Sequence, residues 1–257
     1  MCIRDRVKGR GVRMLRRNRI KVSTGVRAEA AAKLNEAYLK FITKGIPFVT
    51  LKAAMSLDGK IATKTGESKW ITGETTTRYT HRIRSWYDGI MVGTDTVIRD
   101  NPGLISTGTR TPMRIILDRQ LRIPLSARVF DRKAPTLVVT SSGLRKRRKA
   151  DELKKRGVRF IYYPEKGRID LSWLMEKLSG SFITSLLIEG GGELNASALE
   201  AGIVDKVLFL ISPKIIGGRE AKTPVEGEGI SMLRKVLNIT GYNVRRMGAD
   251  LFIEGYL

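Results

Sequence analysis

A short apolar run that ends in one carboxylate and three consecutive glycines constrains this chain more than any other stretch. Leu186–Ile188 has the pattern of a buried strand, Glu189 follows it, and Gly190–Gly192 precede a helical pattern that begins at Leu194. Backbone N–H groups in a turn without Cβ atoms can approach a phosphate closely, and the dipole of the following helix favours an anion. The turn therefore predicts a nucleotide or a phosphorylated ligand. The alternative is a tight strand-to-helix connection without a ligand.

Two common phosphate-binding motifs do not describe this turn. The dinucleotide fingerprint GxGxxG fails because Asn195 stands where its third glycine belongs. A Walker loop is also excluded, since no Gly-Lys-Ser/Thr sequence follows the glycines.

Cysteine and histidine usage excludes several kinds of chemistry. Cys2 is the only cysteine and His81 the only histidine, so an intrachain disulfide, a cysteine metal cluster and a Ser-His-Asp triad are not expected. We therefore expect no metal, and chemistry that uses carboxylates, lysine, hydroxyl groups or a bound cofactor. The sequence contains no apolar stretch of membrane-spanning length and no signal-peptide pattern, which predicts a cytoplasmic protein.

The chain is strongly basic. Its formal net charge is +23, from 48 Lys and Arg against 25 Asp and Glu, with clusters at residues 4–19 and 145–149. Neither cluster contains interleaved aromatic residues, and no nucleic-acid-binding motif accompanies them. A field that gathers small phosphorylated ligands is therefore favoured over nucleic-acid binding.

Alternating strand and helix patterns predict an α/β fold with a mostly parallel sheet and antiparallel strands last. Residues 1–46 differ from the rest: a basic arm with a short strand at Ile20–Val22 and a helix over Glu29–Phe41 that Gly45 ends. From residue 47 onward the predicted strands are Phe48–Leu51, Gly89–Gly93, Met113–Leu117, Thr136–Val139, Arg159–Tyr162, Leu186–Ile188 and Val204–Ile211, followed by an antiparallel pair over Val236–Val244 and Leu251–Tyr256. The predicted helices lie at Glu74–Trp86, Leu144–Arg156 and Leu171–Leu178.

Polar residues follow four of these strands at the positions where ligands of open α/β sheets bind. They include Lys52 after the first strand, Thr94–Thr96 and Asp100 after the second, Asp118-Arg119 after the third and Glu189 after the sixth. Their number exceeds what plain loops need.

Several segments together resemble the reductase domain of riboflavin biosynthesis. They are residues 48–60 (FVTLKAAMSLDGK), residues 66–72 (GESKWIT), Asp100-Asn101-Pro102, Glu189-Gly190-Gly191 and Pro213-Lys214. The resemblance covers residues 47–257 in order and implies a dihydrofolate-reductase-like fold. Residues 7–46 resemble the tail of the deaminase domain that usually precedes this reductase, although the zinc-binding motifs of a deaminase are absent. Met1–Arg6 matches neither domain and is expected to be a non-native start.

The resemblance implies an NADPH-dependent reduction of 5-amino-6-(5-phosphoribosylamino)uracil, in which hydride reaches C1′ of the ribose to give a ribityl chain. It also implies a homodimer. The deaminase-like tail favours this aminouracil as substrate over its diaminopyrimidinone precursor. A pterin reductase and a basic RNA-binding protein are the remaining alternatives.

The resemblance also implies roles for individual residues. Lys52 and Glu189 would hydrogen-bond the ribose and move protons, as the catalytic pair, while Ser68, Arg84 and Leu104 would contact the substrate, with Arg84 on its 5′-phosphate. NADPH would be held by Ala54, Trp70, Thr96 and Asp100, and its pyrophosphate by Gly191, Gly192, Glu193, Leu194, Asn195, Ala196 and Ser197. Asp58 is expected to be structural.

Plainer roles remain open for five of these residues. Trp70 is also compatible with a place in the core, Asp100 with a turn and Arg84 with a surface charge. A carboxylate at the end of an apolar strand needs a partner, so Lys52 and Glu189 are also compatible with a simple ion pair.

The chain departs from the family pattern at two places. Ile105-Ser106-Thr107 stands where an arginine usually helps to hold the substrate phosphate, and Arg110 is the nearest substitute. Arg119 stands where a serine near the cofactor's 2′-phosphate is usual. We therefore expect Arg119 to bind adenine or that phosphate and to favour NADPH over NADH.

Overall fold

The computed structural model describes residues 9–257, so Met1–Arg6 lies outside the described residues. The strands are β1 (Phe48–Ser56), β2 (Gly89–Gly93), β3 (Met113–Leu117), β4 (Thr136–Ser141), β5 (Arg159–Tyr163), β6 (Ser185–Ile188), β7 (Lys206–Ser212), β8 (Thr240–Met247) and β9 (Asp250–Tyr256). The α-helices are α1 (Arg10–Arg17), α2 (Ala28–Leu34), α3 (Glu36–Lys44), α4 (Glu74–Ile83), α5 (Thr94–Asp100), α6 (Arg148–Lys155), α7 (Leu171–Ser179) and α8 (Gly192–Glu200).

The strands form one sheet in the order β5-β4-β3-β2-β6-β1-β7-β9-β8. Pairing is parallel from β5 through to β7, while β9 pairs antiparallel with both β7 and β8. The predicted fold class is therefore confirmed, including the antiparallel strands at the C-terminal end.

Both faces of the parallel part of the sheet are covered, as expected for strands that are almost continuously apolar. On one face, side chains such as Met91, Ile115 and Ile188 pack against α7 and α8. On the other face, Ile90, Ile116 and their neighbours pack with residues of α5 and α6. These two layers fix the strand ends from which the site is built.

The arm preceding residue 47 differs from the sequence prediction in three respects, of which the first is helix α1, which the sequence pattern did not predict. Ile20–Val22 has no regular secondary structure and belongs to none of the nine strands of the sheet, so it lacks the interstrand hydrogen bonds that define a strand. The single helix predicted over Glu29–Phe41 is two helices, α2 and α3, separated at Asn35. The Asn35 side chain donates to the Ala31 carbonyl at 2.8 Å, a local bond that competes with helix continuation. The predicted stop is confirmed, since Gly45 has a φ of 72°.

Helix α3 docks on the domain through ion pairs. Lys40 Nζ lies 2.6 Å from Asp205 Oδ2, and Lys206 Nζ lies 3.2 Å from Glu36 Oε1. Glu36 also accepts a hydrogen bond from the Tyr256 hydroxyl at 2.7 Å. The arm is thereby joined to the start of β7 and the end of β9.

The other helix boundaries shift for local reasons. Helix α5 was not predicted, since it is seven residues long and buries only Val97. The helix predicted over Leu144–Arg156 begins at Arg148, because Ser142–Leu144 forms a 3₁₀ turn. None of the helices in residues 9–257 has both the length and the apolar character needed to cross a bilayer.

Candidate active site

The candidate active site is a cavity of about 520 Å³ at the carboxyl ends of the parallel strands. Strand β6 ends at Ile188, which pairs with Leu51, while β1 continues to Ser56 and pairs there only with β7. The sheet therefore opens between β1 and β6 beyond Leu51. Lys52 and Glu189 line the opening. The volume is typical of small-molecule sites.

Most of the predicted site residues meet in this cavity, although they come from distant parts of the chain. Those that line it are Lys52, Ala54, Ser68, Arg84, Thr96, Asp100, Leu104, Glu189, Gly191, Gly192, Glu193, Leu194 and Asn195. The structure thus brings the proposed catalytic, cofactor-binding and substrate-binding residues to one place, while their roles stay predictions.

A buried ion cluster lies at the floor of the cavity. Arg84 donates from Nε and Nη2 to the two carboxylate oxygens of Glu189, at 2.7 and 2.8 Å. Lys52 Nζ lies 3.9 Å from Glu189 Oε2. The exposed fractions of the Lys52, Arg84 and Glu189 side chains are only 12%, 11% and 7%. Arg84 is therefore not a surface charge, and its bidentate partner here is a carboxylate rather than a phosphate.

The cluster sets different proton affinities for its acid and its base. Burial by itself raises the pKa of Glu189, but the Arg84 guanidinium and then Lys52 outweigh burial and lower this pKa to about 2. Burial lowers the pKa of Lys52, an effect opposed by Glu189 and reinforced by Arg84. Glu189 consequently stays an ionised acceptor at neutral pH. Lys52 is the member whose proton is held less tightly than usual.

The glycine turn is shaped by protein contacts as well as by its conformation. Gly190 has a φ of 81°, and the Gly190–Gly191 peptide bond is cis. Gly191 N donates to Thr96 Oγ1 at 2.8 Å. A Cβ on Gly192 would lie 2.5 Å from both Thr223 O and Glu226 Cγ. Packing of the loop that contains Thr223 and Glu226 therefore requires a glycine at position 192, whether or not a ligand binds there.

Of two further predicted cofactor residues, Asp100 lines this cavity and Trp70 does not. The Ser68 hydroxyl donates to Asp100 Oδ1 at 2.9 Å. Trp70 is 72% exposed, so its alternative place in the core is wrong. Its carbonyl accepts a hydrogen bond from Lys214 Nζ at 2.9 Å, and the residue lines a second cavity beside the first. The indole is therefore accessible to a bound ligand.

Arg119, Ala196 and Ser197 are the predicted site residues that line neither cavity. Ala196 is buried in α8, and the Ser197 hydroxyl bonds the Glu193 carbonyl within that helix. Arg119 is half-buried, and its Nε has no hydrogen-bond partner within residues 9–257. Arg110, the substitute considered for the missing arginine, pairs with Asp88 at 2.7 Å instead of facing either cavity.

Sequence reasoning missed several charged residues that line the cavity. Arg122 pairs with Asp95 at 2.7 Å, and Lys222 pairs with Glu226 at 3.1 Å beside the glycine turn. The i,i+4 spacing of Lys222 and Glu226 was a visible signal, but nothing local placed their loop over Gly192. Asp58 has the structural role that was expected: it accepts hydrogen bonds from Ser56, Ile216 and Gly217, which together lower its pKa to about 2.

The sequence of the chain matches a known protein family. The family model described as "RibD C-terminal domain" matches residues 47–253. The chain belongs to this family. The predicted resemblance is confirmed, and with it the class of protein: an oxidoreductase of riboflavin biosynthesis.

Individual relatives agree with the family match. The chain is 39% identical over 251 residues to the riboflavin biosynthesis protein RibD of Actinobacillus pleuropneumoniae, covering 96% of this chain and 67% of that protein. It is 40% identical over 213 residues to the 2,5-diamino-6-ribosylamino-4(3H)-pyrimidinone 5′-phosphate reductase of Methanothermobacter thermautotrophicus, covering 81% and 97%.

A solved structure shares the fold over nearly the whole chain. It is the diaminohydroxyphosphoribosylaminopyrimidine deaminase/5-amino-6-(5-phosphoribosylamino)uracil reductase of Thermotoga maritima, with a TM-score of 0.84 and 30% identity, covering 98% of this chain and 68% of that one. Residues 47–257 make up 211 of 257 residues, about 82% of the chain. The similarity to the Thermotoga and Actinobacillus proteins therefore extends into the arm.

Proposed function

We propose that this protein reduces the ribose of 5-amino-6-(5-phosphoribosylamino)uracil to the ribityl form, with NADPH as the reductant. The observation that carries the proposal is the buried Lys52–Glu189–Arg84 cluster at the floor of a ligand-sized cavity. A lysine with a lowered pKa beside a fixed anion is the kind of proton donor that a sugar oxygen requires.

The residues of the cavity fit a dinucleotide, whose amide and hydroxyl groups need hydrogen-bond acceptors and whose phosphates need positive charge. Asn195 Oδ1 is buried without a partner within residues 9–257, so an acceptor is available beside the glycine turn. Thr96 and Asp100 add side-chain oxygens, and Lys222 adds a positive charge on the loop over Gly192. We propose that these groups hold NADPH, which when bound supplies the hydride for C1′.

Lys52 and Glu189 take different parts in the proposed reaction. Opening of the ribosylamine breaks the C1′–O4′ bond, adds a proton to O4′ and removes one from the exocyclic nitrogen. We assign the proton on O4′ to Lys52, because its ammonium group is destabilised by burial. A carboxylate with a pKa of about 2 carries no proton at neutral pH, so Glu189 orients the ribose hydroxyls as an acceptor. Arg84 fixes that carboxylate through two hydrogen bonds.

The diaminopyrimidinone precursor is the second candidate substrate. It is supported by the Methanothermobacter relative, whose name specifies that reduction. The aminouracil is favoured because the arm before residue 47 is included in the similarity to proteins such as the Thermotoga deaminase/reductase. We accordingly propose two parts: a basic arm over residues 1–46, of which residues 7–46 correspond to the tail of a deaminase domain, and a reductase domain over residues 47–257.

The test is NADPH oxidation by purified protein with each pyrimidine in turn, followed at 340 nm. Faster turnover of the aminouracil supports the proposal. Turnover of the diaminopyrimidinone alone would mean that reduction precedes deamination. A folded protein that binds NADPH and reduces neither compound contradicts the proposal. The matched control is Glu74→Gln, which changes an exposed carboxylate far from the cluster and should leave the rate unchanged.

We further propose a cytoplasmic homodimer, as the family resemblance implies. Strand β8 is an edge strand whose side chains are exposed except for Met247, so a sheet edge is available to a second copy. Light scattering after size exclusion tests the dimer, and a mass of 28.7 kDa would contradict it.

A further inference from the structure

A second cavity, of about 550 Å³, adjoins the first and differs from it in charge. The two cavities share Ala54, Ser68, Arg84, Pro102 and Leu104. Carboxylates are plentiful in the first cavity, whereas the described residues that line the second include no carboxylate. Its charged and titratable side chains are all basic: Lys69, His81, Arg84 and Arg128. The second cavity is therefore the part of the combined site that favours an anion.

Arg128 is the basic group best placed to hold that anion. Arg84 already donates two hydrogen bonds to Glu189. The pKa of His81 is lowered, first by burial and then by the charge of Arg84, so its imidazole is neutral at pH 7. Lys69 is exposed like Arg128, but it offers a single ammonium group on a flexible stem rather than a planar fork of donors. Within residues 9–257, no hydrogen bond or ion pair occupies the guanidinium of Arg128.

The backbone of Arg128 is held from two sides. Its N–H donates to Asn101 Oδ1 at 2.8 Å. Its carbonyl accepts a hydrogen bond from Arg114 Nη1 at 3.4 Å, and the fully buried Arg114 also bonds the Val129 carbonyl at 2.8 Å. The guanidinium lies against Gly103: a Cβ there would be 3.2 Å from Nη2. A guanidinium on a fixed backbone loses less freedom when it binds a ligand.

We propose that Arg128 binds the phosphoryl group of the substrate, in the second cavity, while the ribose lies at the Lys52–Glu189 pair in the first. This inference rests on the proposed function. It assigns to Arg128 the phosphate contact that the sequence predicted for Arg84, and it gives Arg84 the task of fixing Glu189. Ser106 and Thr107 line the same cavity and supply hydroxyl donors for the remaining phosphate oxygens.

The test uses ribose 5-phosphate as the probe and measures its dissociation constant by calorimetry on the full chain. We expect Arg128→Ala to weaken binding about tenfold, the lower end for loss of a charge-assisted pair, because the side chain is exposed. Arg128→Lys keeps the charge but not the fork, so it should weaken binding less. Arg234→Ala is the matched control: Arg128 and Arg234 are both exposed arginines that begin or lie within a 3₁₀ turn, Arg128–Phe130 and Leu233–Lys235, but Arg234 lines neither cavity.

Steady-state kinetics provides the second readout. Arg128→Ala should raise KM for the phosphorylated pyrimidine about tenfold, with kcat nearly unchanged. The KM of the corresponding unphosphorylated nucleoside should not change. A merely structural role for Arg128 would affect both substrates.

Two results would overturn the inference: failure of the unaltered protein to bind ribose 5-phosphate, or an equal dissociation constant for it and Arg128→Ala. Failure of the proposed function can be told apart from failure of this inference. If the proposed function is wrong, the unaltered protein shows no turnover, whether or not it binds ribose 5-phosphate.

Discussion

Glu189→Gln removes one negative charge from between two buried cations. In the native protein the ionised Glu189 accepts two hydrogen bonds from Arg84 and lies 3.9 Å from the Lys52 ammonium. The substitution keeps the shape of the side chain but leaves Arg84 and Lys52 without a counter-charge. Removal of one partner from a buried pair is strongly destabilising for this reason.

The size of the effect follows from the pKa of Glu189. The pKa falls from 4.5 to about 2 in the folded protein. Each unit by which folding lowers the pKa corresponds to about 1.36 kcal/mol. Ionisation of Glu189 therefore contributes roughly 3 kcal/mol to the free energy of unfolding. That figure lies at the lower end of the roughly 3–5 kcal/mol observed when buried pairs are broken. We therefore expect Glu189→Gln to lower the free energy of unfolding by about 3 kcal/mol at pH 7.

The pH dependence gives the prediction a sign. Because the folded pKa is depressed, the stabilisation is complete above about pH 4.5 and is lost as pH falls toward 2. Urea unfolding followed by circular dichroism measures the free energy of unfolding of both proteins. The difference between the native protein and Glu189→Gln should be constant near neutrality and should narrow below pH 4.5. Glu74→Gln is the control: its ion pair with Arg78 is exposed, so its effect should stay below about 0.5 kcal/mol. The reasoning would be refuted if Glu189→Gln lowered the free energy of unfolding by less than 1 kcal/mol at pH 7, or if the difference in free energy between the two proteins did not narrow in acid.

Three further substitutions test other parts of the site. Lys52→Met should lower kcat by about 10²–10⁴ without changing the dissociation constant of NADPH, and a rate within tenfold of the original contradicts its role as proton donor. Gly192→Ala should lower the free energy of unfolding by about 1–3 kcal/mol in thermal unfolding, because the new Cβ would lie 2.5 Å from Thr223 O. Gly143→Ala is the control and should have little effect, because the nearest atom to a Cβ there is 3.8 Å away. Arg119→Ser should reduce the ratio of kcat/KM for NADPH to that for NADH, and an unchanged ratio removes Arg119 from the cofactor-binding set.

Much of the fold could be predicted because apolar periodicity dominates the central part of the chain. Strands such as Gly89–Gly93 and Met113–Leu117 are short apolar runs bounded by Asp, Gly or Pro, and their bounds match the structure. The arm could not be predicted as well. Its helices bury no residue, so a side-chain bond at Asn35 was enough to interrupt the pattern.

The site was predicted as a set of residues but not as a geometry. Strand ends of a parallel sheet converge, so Lys52 and Glu189 were expected near each other from local patterns alone. The pairing of Arg84 with Glu189 joins residues 105 positions apart, and no local pattern distinguishes it from a surface charge. The same limit applies to Arg114, which is fully buried although its sequence neighbours gave no sign of a partner.

The glycine turn shows why a motif can have two causes. A run of three glycines predicted a phosphate-binding turn, and these glycines do line the cavity. The structure adds a requirement that sequence reasoning did not contain, because the loop with Thr223 and Glu226 occupies the space that a Cβ on Gly192 would need.

The most direct test of the central claim is isotope transfer. The protein would be incubated with NADPH that carries deuterium at C4 of the nicotinamide, in the transferred position, and with the phosphoribosylamino-uracil, and the product would be analysed by mass spectrometry and NMR. The proposed reduction predicts one deuterium at C1′ of a ribityl chain in the unaltered protein, and a much slower appearance of that label with Lys52→Met. A product without deuterium, or with deuterium on the pyrimidine ring instead of C1′, would contradict the account.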